Sequence, residues 1–329
     1  MEKRIIWIDI LRFLGIWAIY IGHFGKGIGN LYDFVWIYHV PLFFFVSGVL
    51  SFPKDQKLNV FVKNKFFHLM LPYFFFSILS IMINVLLYGT SPTNVLLMFK
   101  QCILGLKDNT YAGQLWFFPA MFVMIVIYEL LRRIIKNKYV SCLICLLVSL
   151  GLQYLQIPWG SWYYCIGYAL IFIVYYAIGA LCSSILMNFS FQKLTIVKKV
   201  FICLISAVFI VYTVGIFYGK DYIAPLINQL AILNSVYSLI KILVIIGMNI
   251  VIALVLSNIK HLQNIGRETL YMCGNEFIVK VAIIQLITLF GLQIQITNGL
   301  AASIYAFILL SIVLYVIVPI EKKMLRLNS

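Results

Sequence analysis

The sequence predicts an all-α fold: a polytopic integral membrane helical bundle of about ten transmembrane helices, with the N- and C-termini on the cytoplasmic side. Three observations carry this. Of 329 residues, 64% are apolar and only 11% charged, with a mean hydropathy of +1.03. Uncharged runs of about 20 residues are what a bilayer-crossing helix needs. The runs are continuously apolar, whereas membrane barrel strands alternate, and in lipid only helices or closed barrels satisfy every backbone amide. The basic residues cluster in every second connection.

Spans are expected near residues 5–24, 31–52, 66–88, 114–135, 139–156, 163–186, 199–218, 236–258, 268–292 and 297–320. The first resembles a secretory signal, but Asp9 and Arg12 interrupt its apolar stretch and no small-residue cleavage pattern follows. It is therefore read as a retained span. Gly25, Gly27 and Gly29 after it form a flexible connection, since no strand precedes them as a phosphate-cradling loop requires. The second span carries His39 and Pro41, the third is approached by Lys63 and Lys65, and the fourth opens at Trp116. Trp159, Trp162, Tyr163 and Tyr164 at the turn between the fifth and sixth fit an interfacial aromatic belt. Of the later spans, the eighth carries Lys241 near its start and the ninth holds Glu276 and Lys280. Connections are short, so residues 1–329 read as a single transmembrane domain. The longest, 89–113 and 219–235, have room for re-entrant or interfacial pieces.

With the N-terminus inside, 18 of the 25 basic residues fall in cytoplasmic segments and four (Lys26, Lys100, Lys107 and Lys220) in outer ones. This is the positive-inside pattern. The net charge of +15 is thus topological, which excludes a nucleic-acid partner and leaves membrane lipid, in the cell membrane. The seven cysteines, six of them within apolar runs, argue against a disulfide scaffold, and Cys142 and Cys145 read as small span residues rather than a metal or redox pair.

A charge at the bilayer centre costs about 2.5–3.5 kcal/mol on insertion scales, which makes intramembrane ionisable residues functional candidates. The set is Asp9, Arg12, Glu129, Glu276 and Lys280, with His23 and His39 at the outer ends of the first two spans. Arg12 and His23 are eleven residues apart, which is about 20° from a whole number of helical turns and a rise of about 16 Å. One face of the first helix therefore carries a cation in its inner half and an imidazole at its outer end. Arg12 has two expected partners, Asp9 at i−3 and, at similar depth on the ninth span, Glu276. Glu276 has its own alternative in Lys280 at i+4. Two imidazoles near one water-accessible surface suit proton transfer near neutral pH. Glu129 reads as a structural partner of Arg132 and Arg133.

At these residues the chain resembles the membrane-bound acyltransferase family 3. The resemblance is carried by Ile8-Asp9-Ile10-Leu11-Arg12 with His23 ten residues beyond, by His39-Val40-Pro41-Leu42-Phe43-Phe44-Phe45-Val46-Ser47-Gly48, and by Lys63 and Lys65 leading into Leu71-Pro72-Tyr73. Leu115-Trp116-Phe117-Phe118-Pro119 and Ile265-Gly266 with Thr269-Leu270 complete it. It covers nearly the whole chain. It implies an enzyme, an acyltransferase moving an acetyl group from cytoplasmic acetyl-CoA to a hydroxyl of a surface or exported carbohydrate or other polymer, with no metal. His23 is then the candidate base, His39 its helper or alternative, and Arg12 a ligand for donor phosphate or carbonyl oxygen. Glu276 joins the catalytic set, and Trp116, Ser47, Lys65, Asp9 and Lys280 are substrate-binding candidates. Two positions depart from relatives. His68 stands where Arg is common, and Asn275-Glu276 where many carry a histidine, which makes Glu276 the candidate for part of that role.

Two other classes fit the same charges. A transporter or flippase for a glycan precursor or small metabolite would use them as a substrate or proton path, but two corresponding halves with broken helices are not seen. A non-catalytic scaffold would leave costly charges unused.

Overall fold

The computed structural model describes residues 5–51, 56–107, 113–155, 162–189, 195–221, 223–227, 231–291 and 296–325. Lys3, Arg4, Lys54, Lys193 and Arg326 of the expected cytoplasmic charge, and Trp159 of the aromatic belt, lie outside them. The described residues are overwhelmingly helical and contain no strand. The chain is a polytopic helical membrane protein.

Helices α1 (Ile6–Gly22) and α2 (Asn30–Val49) are joined by a defined turn, a 3-10 piece at Lys26–Ile28. Gly25 and Gly29 flank it with φ of 84° and 70°, a left-handed backbone that glycine adopts without steric cost. Next come α3 (Leu58–Tyr88), α4 (Pro92–Leu104), α5 (Phe117–Ile134), α6 (Lys138–Tyr154), α7 (Ile166–Met187) and α8 (Ile196–Phe217). The short α9 (Ala224–Ile227) precedes α10 (Ala231–Val255), α11 (Lys260–Arg267), α12 (Thr269–Leu289), α13 (Gly299–Ile312) and α14 (Val318–Leu325). A wider π-type turn, Val313–Ile317, links the last two.

Eight helical stretches among the described residues are long and apolar enough to cross a membrane. The two other expected spans are α1 and α6, of 17 residues each. At 1.5 Å per residue each rises about 25 Å, against a hydrocarbon core of about 30 Å. The third span begins earlier than expected, at Leu58, because nothing between 58 and 65 breaks a helix and the basic approach simply continues it. The apolar connection 89–113 holds α4. Ser91 caps that helix by accepting from the Asn94 amide, and Pro92 opens it, both standard helix-start chemistry. Helix α11 was not expected. Its composition is polar, and its buried face is Leu262, Gln263, Ile265 and Gly266.

The helices pack as two compact units. The first comprises Met1–Leu50, Cys182–Met272 and Ile294–Ser329, the second Ser51–Leu181 and Cys273–Gln293. In the first, α1 is surrounded by α2, α10, α11 and α13, with Ile10, Ile16 and Tyr20 fully buried. Small residues allow this, as usual where helices meet in lipid. A Cβ on Gly15 would strike the Leu42 and Phe43 side chains of α2, and one on Gly266 would run into the backbone carbonyl of Asp9. Hydrogen bonds fix the arrangement: Tyr20 donates to the Met272 carbonyl at 2.8 Å, Trp17 to Ser303 at 3.0 Å and Ser183 to Val49 at 2.6 Å. In the second unit α3 packs on α4 and α5. Tyr73 donates to the Cys102 carbonyl at 3.0 Å, and Gly274 leaves room for the Phe76 ring.

Candidate active site

The N-terminal half of α1 presents Asp9, its side chain only 6% exposed, with Arg12 Nη1 at 3.9 Å on one oxygen and Arg267 Nε at 3.9 Å on the other. Of the two partners expected for Arg12, Asp9 is in place. Arg267 was not singled out beforehand beyond its place in the loop charge census. Its approach depends on Gly266 letting α11 touch the Asp9 carbonyl. One signal was visible, the Ile265-Gly266 pair itself. Two guanidiniums thus flank one buried carboxylate at that end of α1, and guanidiniums suit an anionic or carbonyl oxygen.

At the opposite end of α1, His23 is the residue on which the helix stops. Trp36 packs against both of the expected imidazoles. Its ring is 6.1 Å from that of His23 and 5.0 Å from that of His39, edge-on to both. The indole N–H donates to the Gly22 carbonyl at 3.2 Å, which ties α2 to the end of α1. His39 is 3% exposed, and its Nδ1 lies 2.7 Å from the Val35 carbonyl. A carbonyl only accepts, so Nδ1 carries the hydrogen and the neutral ring keeps its lone pair on Nε2. That is the arrangement of an oriented base. Trp36 was missed in sequence, where it looks like one more interfacial tryptophan. Ser47 is half-buried further along α2.

The remaining candidates belong to the second unit. Glu276, 3% exposed, pairs with Lys280 at 2.5 Å, the i, i+4 alternative. Its neighbour Asn275 is fully buried. Lys65 is half-buried on α3 with its ammonium 5.8 Å from the Phe61 ring, and His68 is exposed. Trp116 closes a 3-10 turn at Gly113–Trp116 and lies beside Tyr168 and Phe172 of α7, with ring centroids 4.9 and 6.4 Å away. Glu129 binds Arg132 and Arg133 at 2.9 and 2.7 Å, the structural pairing expected of it.

These features define a polytopic helical membrane protein whose first two helices bear an arginine and two histidines. The model of acyltransferase family 3, described as an acyltransferase domain, matches residues 5–322. The chain belongs to that family and is a membrane acyltransferase. No curated protein and no solved structure matches it.

Proposed function

We propose that the protein transfers an acetyl group from cytoplasmic acetyl-CoA to a hydroxyl of a cell-surface or exported carbohydrate, across the cell membrane in which it sits. The observation that carries this is α1, a single helix with two guanidiniums beside one end and the His23 and His39 imidazoles beside the other. With the N-terminus inside, Arg12 and Arg267 face the side where the anionic donor is found, with Lys65 of the second unit on the expected cytoplasmic approach. His23 and His39 lie at the outer mouth.

In this reading His23 takes the proton of the acceptor hydroxyl as its oxygen attacks the acyl carbonyl. The C–S bond breaks and the coenzyme A thiolate leaves. His39, its Nδ1 held by Val35, is the second acceptor of that proton, and the Trp36 ring packs against both imidazoles. General-base assistance of this kind is worth about 10²- to 10⁴-fold.

Purified protein incubated with acetyl-labelled acetyl-CoA and a polysaccharide acceptor tests the proposal. Transfer of label that disappears in His23→Ala and Arg12→Ala is expected. Full transfer in both variants would remove these residues from the site. Acceptor flux into vesicles without label transfer would indicate a transporter instead.

A further inference from the structure

Among the described residues, Lys107 is held by aromatic rings and not by a carboxylate. Arg12, Arg132, Arg133, Lys241, Lys280 and Lys322 each face a carboxylate within 4 Å. Lys107 faces none among the described residues. Its ammonium donates to the Tyr168 hydroxyl at 2.8 Å and lies 4.0 Å from the Tyr168 ring centroid and 5.3 Å from that of Trp116. An ammonium has three donors, and among the described residues one is used, on the Tyr168 hydroxyl.

The box is built across 61 residues of sequence. Tyr164 and Cys165 both have φ of 52°, a left-handed backbone unfavourable for a bulky residue. The Cys165 thiol donates to the Gly105 carbonyl at 3.1 Å. Gly105, with φ of 61°, lies so close to Tyr164 that a Cβ would be only 3.0 Å from its Cα. Such strain persists where the surroundings over-determine it, and it gathers at binding and catalytic sites. A lysine that merely anchors to headgroups runs its stem along apolar surface and leaves its ammonium in water. Here the ammonium is pinned against two ring faces.

We propose that Lys107, Trp116 and Tyr168 form an acceptor subsite for a negatively charged sugar. The sugar ring packs beside the Trp116 and Tyr168 rings and its carboxylate meets the Lys107 ammonium. The proposal rests on the carbohydrate reading above and names the acceptor's chemical class.

The test is binding of trigalacturonate and of neutral galactotriose to the full-length protein in zwitterionic lipid nanodiscs. The charged sugar is expected to bind about tenfold tighter, the scale of one charge-assisted hydrogen bond. Lys107→Ala should erase that preference, Lys107→Arg keep it, and Trp116→Ala weaken both sugars. Equal binding of the two sugars by the wild type, or a preference that survives Lys107→Ala, would overturn the proposal. Phosphatidylglycerol displacing trigalacturonate from the wild type would also overturn it, by identifying a headgroup site. Acetyl transfer measured alongside separates the two readings. An intact charge preference with no transfer to any acceptor leaves the subsite standing and removes the acetyl-transfer reading. Transfer without charge preference does the reverse.

Discussion

Helices α2 and α8 belong to the same unit yet invert the rule of soluble proteins. Of the eight long stretches, α2 is the least apolar and the most buried, with 61% of its spanning segment inside the protein, whereas α8 is far more apolar and 11% buried. Lipid tails are as apolar as leucine, so no hydrophobic force selects which helix goes inside. Close packing and polar contacts make that choice. Where the solvent is oil, polarity marks the interior. The residues that cost most to insert are therefore the candidates for the site, and the strongly apolar α8 supplies a lipid-facing wall.

The largest effect that this contrast predicts is catalytic. His23→Ala and His39→Ala should each lower acetyl transfer by about 10²- to 10⁴-fold. The double variant should lose little more than the worse single one, because groups acting as a unit are not additive. Initial rates with labelled donor measure both. Losses that multiply would mean that the two imidazoles act in separate steps.

Next is packing. A methyl on Gly266 meets the Asp9 backbone, which has no rotamer with which to yield, so Gly266→Ala should destabilise by about 1–3 kcal/mol. Gly215 of α8 offers the control. A Cβ there has its nearest contact at 3.6 Å, from the Lys220 carbonyl, and Gly215→Ala should be neutral or stabilising by up to about 1 kcal/mol. Thermal unfolding in detergent compares the two. Equal sensitivity would refute the distinction between a packed α1–α11 contact and a slack α8.

The same physics sets how much was legible beforehand. The ten apolar segments could be read because insertion depends on composition over about 20 residues, and each is helical. The Asp9–Arg12, Glu276–Lys280 and Glu129–Arg132 pairs could be read because i, i+3 and i, i+4 spacing is local. Helix α11 escaped because its buried stripe holds only two large apolar side chains, Leu262 and Ile265, in a polar octet. Arg267 on Asp9, Trp36 against the histidines and Lys107 on Tyr168 escaped for another reason. Each depends on which helices touch, and hydropathy carries no register between helices.

Beyond the far end of α8 lies a smaller effect. Asp221 accepts from the Tyr237 hydroxyl, from the Ala224 amide at 3.1 Å and from Lys241 at 3.2 Å. Burial by itself would raise its pKa, but these three donors together hold it below the ordinary 3.8. With the folded value depressed, the stabilisation is complete at neutral pH and is lost as pH falls through the folded value. Asp221 is partly solvated, so the contribution should stay within about 1 kcal/mol. Melting temperatures between pH 7 and pH 3 should drop more steeply for the wild type than for Asp221→Asn. Parallel curves would show that the cluster does not hold α8 to α10.

The smallest expected effect is the sharpest test of the lipid-facing wall. Val208 lies mid-way along α8 and is 65% exposed. In a soluble protein an exposed valine is already in water, whereas here it is already in hydrocarbon. In neither case does folding change its surroundings much. Val208→Ala removes two methyl groups that touch lipid before and after assembly, so no transfer term is lost, and the cavity it leaves is filled by acyl chain. The change in stability should lie within about 0.5 kcal/mol, with acetyl transfer unaltered. A loss well above that would mean that α8 is covered by protein in the membrane. A second copy of the chain would be the first candidate to seek there, by crosslinking through a cysteine placed at 208.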